Sequence, residues 1–202
     1  YGGLGPALEE ACLTMFELGR TSPVFRSLIG TNVGIGSQGI VIDGTEEQKQ
    51  RYLPELASGE LVGSFCLTEP DAGSDAVSVR TSAKRDGNGY LLNGTKRFIT
   101  GADEADFAQL LAATDREKGS RGGISMFLVD MDTPGVNITT KFETMMGDWP
   151  CEIHFEDVRV PVEQRIGEEG QGFALGQRFL ANGRLKHGAR GVGTAQRCLD
   201  LM

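Results

Sequence analysis

The chain begins with apolar positions at helical spacing. Over residues 7–18 they recur every three or four positions, which predicts an amphipathic helix. Residues 22–42 are apolar and contain several glycines, and we interpret them as mostly buried helix. Thr45 and Gln48 fit the capping-box pattern, in which each side chain bonds the other residue's backbone N–H. A short helix is therefore expected over about 45–57.

The spacing of apolar positions changes to two from about residue 62. Alternation over residues 77–84 predicts a half-buried strand, and Asp86-Gly87-Asn88-Gly89 predicts a hairpin turn. The further strand candidates are 90–92 and 96–100 around a turn at Asn93-Gly94, then 107–113, 125–131 and 152–160. Short strands with frequent turns are typical of an antiparallel barrel or sandwich.

Helical spacing returns after Gly172. The positions that recur in steps of four and three are Leu185, Ala189, Val192, Gln196 and Leu199. Gly188, Gly191 and Gly193 interrupt this helix at about 1 kcal/mol each. Close approach of another backbone or of a ligand would offset that cost.

Composition narrows the classes of function. The 202 residues carry a net charge of −8, which argues against nucleic acid or an anionic membrane as a general partner. No segment is apolar enough over a sufficient length to span a bilayer. The four cysteines lack metal-ligand spacing, which predicts reduced thiols, an intracellular protein and no metal site. Because the sequence starts without Met and stops inside a helical pattern, we expect it to be part of a longer protein.

Two segments carry candidate chemistry. In residues 65–75 a strand enters a turn with Pro, Gly and Ser, which can aim N–H groups and hydroxyls at a phosphate. An ordinary strand-to-loop turn explains the same residues. In residues 93–102, Phe98 and Thr100 are two apart and are expected on one strand face. That geometry suits a planar ring with a polar edge, although a routine hydrophobic patch is the alternative.

These motifs together resemble the acyl-CoA dehydrogenase family. LTEPDAGSD and NGTKRFITGADEADF are preceded by GTEEQKQRYLPELASGE and followed by FEDVRVPVEQRIGEEGQGF, in the family's order. The resemblance implies an α+β fold. It comprises the end of an N-terminal helical domain (1–61), an antiparallel β-barrel middle domain (62–170) and the start of a C-terminal helical bundle (171–202).

The resemblance implies FAD as cofactor and an acyl-CoA as substrate. The positions implied to contact FAD are Phe65, Leu67, Thr68, Gly73, Ser74, Phe98, Ile99 and Thr100. Phe98 stands where the family usually has Trp, so stacking is kept while the indole N–H is lost. Ser74 and Arg184 occupy positions near the substrate. A second departure is the loop containing residues 146–152.

The implied reaction is α,β-dehydrogenation, in which a carboxylate removes the α proton and the flavin accepts a hydride at N5. Some family members place that carboxylate where this sequence has Gly183. We therefore expect the base beyond Met202, and no catalytic residue in this chain. Glu69, Glu152 and Glu156 are expected to have structural roles.

The resemblance also implies partners: an electron-transferring flavoprotein and further copies of the chain, as a homodimer or homotetramer. The expected compartment is the bacterial cytoplasm or the mitochondrial matrix. Two alternatives remain open. One is an acyl-CoA oxidase or flavin monooxygenase of the same fold, and the other is a DNA-binding relative without catalysis. The acidic charge disfavours the second.

Overall fold

Helices at both ends enclose a mixed sheet in the computed structural model. It describes the backbone of residues 1–202 and all side chains except those of Pro23, Arg26 and Leu28. The helices are α1 Leu8–Gly19, α2 Pro23–Gly30, α3 Gln38–Asp43, α4 Glu46–Ser58 and α5 Gly172–Asp200, with a π-helical turn at Thr31–Ile35 and a 3-10 turn at Val162–Gln164. No helix within the described part of the chain combines the length and the apolar character needed to cross a membrane.

The capping box predicted for the fourth helix is confirmed. Thr45 accepts a hydrogen bond from the Gln48 N–H at 3.2 Å, and Gln48 Oε1 accepts one from the Thr45 N–H at 2.9 Å. The prediction of mostly helix over 22–42 is confirmed, although the segment is divided into α2, the π-helical turn and α3. The backbone of Gly34 leaves the helical region (φ −112°, ψ −108°), which separates α2 and the π-helical turn from α3.

Eight strands form the sheet. They are β1 Gly63–Cys66, β2 Ser82–Asp86, β3 Gly89–Ile99, β4 Phe107–Ala113, β5 Ile124–Asp130, β6 Val136–Lys141, β7 Cys151–Pro161 and β8 Arg165–Ile166. Their order is β6-β7-β3-β2-β4-β5-β8, with β1 paired to β4. The α+β fold class is confirmed. The pairing is antiparallel except for β1 with β4 and one β2–β4 bridge, which are parallel.

Two strand predictions are corrected. Residues 77–81 lie outside the strands, because the N–H groups of Arg80 and Thr81 donate to the Glu69 carboxylate instead of a neighbouring strand. Asn93-Gly94 is not a turn but lies inside the continuous strand β3. The Asn93 amide exchanges two 3.0 Å hydrogen bonds with Asp157 of β7, where a bulge absorbs the irregularity.

The apolar side chains form two cores. One consists mainly of side chains from β3, β4, β5 and β7. The other is formed where α3, α4 and α5 pack onto β1, β4 and β5. The predicted domain boundaries fall in the connections between Ser58 and Gly63 and between Ile166 and Gly172. They remain predictions, since element order alone does not define independent domains.

α5 packs against α1 at two glycines. A Cβ at Gly193 would overlap the carbonyl oxygen of Phe16, and one at Gly19 would overlap that of Arg190. Thr194 Oγ1 also donates to the Gly19 carbonyl at 3.1 Å. At Gly193, close approach of a backbone therefore accounts for a glycine in a helix interior. Gly188 and Gly191 have nothing within 4 Å of an added Cβ.

Candidate functional site

A cavity of about 820 Å³ opens between α1, the π-helical turn and α5. Three residues singled out from the sequence line it, Thr100 after the end of β3 and Gly183 with Arg184 on α5. Lys186 and His187 follow on the same helix, and none of the described residues that line the cavity is acidic. The cavity can therefore receive a molecule with an apolar part and negative charge.

Two amide side chains hold the π-helical turn that forms one wall. Asn32 Nδ2 donates to the carbonyls of Leu56 and Leu61, each at 3.2 Å. Gln109 of β4 donates through Nε2 to the Ile35 carbonyl at 2.9 Å and is fully buried. This turn is thereby fixed to the sheet and to the end of α4. The sequence signal that could have revealed Gln109 is its place as the one polar residue in an otherwise apolar strand.

The two sequence motifs meet beside this cavity. The Arg97 N–H donates to the Thr68 carbonyl at 2.8 Å, and Lys96 Nζ donates to the Leu67 carbonyl at 2.9 Å. Residues 67–68 therefore lie against the end of β3 that leads to Thr100. Thr68 and Thr100 are both half-buried, so each keeps part of its surface available to a ligand.

Lys96 and Glu69 form the buried centre of this junction, and sequence reasoning missed their pairing. Lys96 Nζ lies 2.8 Å from Glu69 Oε1, with side-chain exposures of 0% and 4%. Burial raises the pKa of the Glu69 carboxyl, but the charge and hydrogen bonds of Lys96, with those from Thr81 and Arg80, bring it below its usual value. The structural role expected for Glu69 takes the form of this pair. The sequence signal that could have revealed the pair is Lys96 itself, a charged residue within a predicted strand.

Phe98 stands on a bulge near the end of β3. Lys96 pairs with Ile153 and Ile99 with Cys151, so β3 contains one residue more than β7 over this interval. The extra residue allows Phe98 a left-handed backbone (φ 59°), which costs a non-glycine residue about 1–3 kcal/mol. The residue is 56% exposed and is not part of the cavity lining. The expectation that Phe98 and Thr100 share one face assumed a regular strand, which the bulge interrupts.

The remaining predicted contact residues differ in availability. Phe65 is buried and packs edge-on against Phe179 of α5, with ring centroids 5.4 Å apart. Leu67 packs at the margin of the same core. Ile99 is buried in the other core, so only its backbone could face a ligand. Gly73 and Ser74 lie together in an exposed turn.

No cluster of His, Cys, Asp or Glu suited to a metal ion occurs among the residues that the structure describes. Burial raises the pKa of the Cys66 thiol to about 12, despite the opposing charge of Lys96. Cys66 is thus a protonated core residue at neutral pH.

Comparisons with known proteins agree with the sequence motifs. Family models match over residues 1–60 (acyl-CoA dehydrogenase, N-terminal domain) and 64–158 (acyl-CoA dehydrogenase, middle domain). Isobutyryl-CoA dehydrogenase, mitochondrial, of Dictyostelium discoideum is 46% identical over 164 residues, which cover 79% of this chain and 39% of that protein.

Solved structures show the same fold. The structure described as the electron transferring flavoprotein of Acidaminococcus fermentans has a TM-score of 0.94 and 38% identity, covering 99% of this chain and 53% of that one. Acyl-CoA dehydrogenase complexed with FAD, from Bacillus anthracis, has a TM-score of 0.91 and 36% identity, covering 100% and 35%. The chain spans about half the length, or less, of these relatives. With two family models matched in order along it, the chain belongs to the acyl-CoA dehydrogenase family.

Proposed function

We propose that the protein containing this chain is an FAD-dependent acyl-CoA dehydrogenase that converts an acyl-CoA thioester to the trans-2-enoyl-CoA. The observation that carries the proposal is the convergence of Thr100, Gly183 and Arg184 on one cavity beside the joined motifs. The isobutyryl-CoA dehydrogenase relative supports a thioester substrate.

The residues present fit FAD. Phe98 offers an exposed ring for stacking, and Thr68 and Thr100 offer half-buried hydroxyls near the end of β3. An added Cβ at Gly73 would meet nothing within 4 Å, so the turn with Ser74 leaves room for a phosphate. The related structure from Bacillus anthracis is a complex with FAD. When bound, FAD would supply the acceptor for the hydride that leaves the substrate Cβ.

The residues of the chain bind and orient the substrate. Arg184 and Lys186, on the cavity wall, suit the phosphates or carbonyls of CoA. Ile35 and Val33 of the π-helical turn provide an apolar wall, which excludes water from the acyl chain. Thr100 lines the same cavity, where its hydroxyl can orient the reacting part of the ligand.

A carboxylate must take the α proton, and we propose that it comes from outside these 202 residues. Gly183 lines the cavity at the position where some relatives have glutamate, and an added Cβ there would point into open space. Glu69, by contrast, is engaged by Lys96 and two backbone N–H groups. These hydrogen bonds stabilise Glu69 as a fixed anion, which makes it a poor acceptor for the substrate proton.

We further propose an electron-transferring flavoprotein as electron acceptor, a homodimer or homotetramer as the assembly, and an intracellular location. The similarity to the Acidaminococcus fermentans structure supports the first of these. The location is supported by relatives from mitochondria and from bacteria such as Bacillus subtilis.

Anaerobic titration of the purified full-length protein tests the proposal. Acyl-CoAs that differ in length and branching, beginning with isobutyryl-CoA, are added while the visible absorbance of the flavin is followed. We expect bleaching by at least one of them, with formation of the enoyl-CoA and rapid reoxidation by an electron-transferring flavoprotein. A full-length protein purified without FAD would refute the proposal.

The same titration separates the alternatives. Fast reoxidation of the product-bound protein by air would identify an oxidase. Salt-dependent binding of duplex DNA by the full-length protein, without reduction by any acyl-CoA, would identify a DNA-binding relative.

A further inference from the structure

The two departures of this sequence from the family pattern, Phe98 and residues 146–152, are linked in the structure through Phe142. Phe98 packs against Phe142, with ring centroids 4.9 Å apart and planes inclined by 53°. Phe142 follows β6, four positions before the divergent residues, and its N–H donates to the carbonyl of Pro150 at 2.9 Å, which closes the connection between β6 and β7 at its base. The aromatic residue and the loop are therefore parts of one local arrangement.

Arg97 completes this arrangement. Its guanidinium carbon lies 5.5 Å from the centre of the Phe98 ring and 5.2 Å from that of Phe142. Both distances are within the range of a cation–π interaction. Arg97 Nε lies 3.1 Å from Glu152 Oε2 on β7, and Glu152 is largely buried. One cation thus contacts both rings and forms an ion pair with a carboxylate of the adjacent strand.

The arrangement explains how a strained residue keeps one conformation. A left-handed backbone is unfavourable for Phe98 and persists only where surrounding contacts over-determine it. Phe142 and Arg97 provide those contacts, while Phe98 as a whole remains more than half exposed. The result is an aromatic ring with fixed orientation that is still accessible to a planar ligand.

We propose that Arg97, Phe142 and Glu152 are positioning residues that hold Phe98 as a stacking surface for the isoalloxazine ring of FAD. The inference rests on the proposed function. It gives Phe142 and Glu152, on either side of the connection between β6 and β7, a role in cofactor binding. Their support of the Phe98 ring would compensate for the indole that other family members have at this position. A fixed ring loses less conformational entropy when the ligand binds, so the support contributes to affinity without touching the flavin.

The test uses the full-length protein, from which FAD is removed and added back. Arg97→Met removes the charge and keeps most of the chain length, and Phe142→Ala removes the second ring. Phe142→Tyr keeps that ring and serves as the conservative variant. Arg159→Met is the matched control. Arg159 lies on β7, the strand of Glu152, and pairs with Asp86 at an exposed position away from both rings. Three quantities are measured: the Kd for FAD, the visible circular dichroism of bound flavin, and the Tm of the apoprotein.

We expect Arg97→Met and Phe142→Ala to raise the Kd for FAD about two- to tenfold, the range given by one cation–π or aromatic contact. The circular dichroism of the bound flavin should change in both. Phe142→Tyr and Arg159→Met should match the wild type in both measurements. If Phe142→Ala does not fold, Arg97→Met decides the question.

The inference would be overturned if Arg97→Met and Phe142→Ala both kept the wild-type Kd for FAD and the wild-type circular dichroism of the bound flavin. It would also be overturned if the only change in both variants were a lower Tm of the apoprotein. The proposed function would stand in either case, because the wild-type protein would still bind FAD. If the wild-type full-length protein does not bind added FAD, the proposed function fails and this inference fails with it.

Discussion

Lys96 and Glu69 form an ion pair inside the sheet, although they lie 27 positions apart in the sequence. Lys96 belongs to β3, and Glu69 follows β1. Lys96 also binds the Leu67 carbonyl, and Glu69 binds the N–H groups of Arg80 and Thr81. The pair thus joins the two motifs that carry the family resemblance.

Removing the lysine should destabilise the protein strongly. Lys96→Met leaves the Glu69 carboxylate buried without its cation, which costs about 3–5 kcal/mol. The double variant Lys96→Met with Glu69→Gln should recover part of this loss, because no unpaired charge remains. The free energy of unfolding in urea measures both effects. Lys84→Met, an exposed lysine on β2, is the control, and an equal loss in that variant would contradict the prediction.

The same pair should set part of the acid sensitivity. Because the pKa of Glu69 is lower in the folded protein than its usual value near 4.5, the unfolded chain binds the proton more readily. The stabilisation is complete above pH 4.5 and is lost as the pH falls through the lowered folded pKa. In Lys96→Met the causes of the lowering are partly removed, so its unfolding free energy should depend less on pH below 4.5. Urea titrations between pH 3 and 7 test this, and identical pH slopes in the two proteins would refute it.

Two glycines of α5 should respond to alanine in opposite ways. Gly193→Ala places a methyl group against the Phe16 carbonyl, and the overpacking should cost about 1–3 kcal/mol. Gly188→Ala meets nothing within 4 Å and should stabilise the helix by about 0.5–1 kcal/mol. Thermal unfolding of both variants measures the difference. A higher Tm for Gly193→Ala than for Gly188→Ala would show that α1 and α5 do not pack as closely as described.

Substrate affinity should depend on Arg184. If the full-length protein has the proposed activity, Arg184→Gln should raise its KM for the acyl-CoA about tenfold, because the proposed hydrogen bond to a charged group is lost. The kcat should change little, since a contact with the CoA part is equally strong in the ground and transition states. Arg197→Gln, on the same helix and outside the cavity lining, should retain the wild-type KM. If Arg197→Gln also raised the KM tenfold, the effect would come from the overall charge of the helix, and the prediction of a direct contact at Arg184 would be contradicted.

Features determined by local interactions were predictable from the sequence. The capping box at Thr45 and Gln48 and the hairpin at Gly87 depend on residues at most three or four positions apart. The bulge at Phe98 was not predictable, because it follows from the register of β3 against a strand more than 50 positions later. The parallel β1–β4 pairing is likewise a long-range property that the alternation of apolar residues does not encode.

The candidate site was predicted in the same uneven way. Thr100, Gly183 and Arg184 were identified through the motifs, and they line one cavity. The supports behind them were missed, because Lys96, Gln109 and Asn32 act through contacts with residues distant in sequence. Polar residues at inward positions of apolar elements are the local sign of such supports.

The glycine contact between α1 and α5 joins elements from the two ends of the chain. The cavity between them is therefore assembled from segments separated by the whole sheet, and its walls can form only after that long loop of chain has closed. A ligand held there would bind only the arrangement in which α1 and α5 are packed together. Its binding free energy would thus stabilise the first and last helices together, in one cooperative unit.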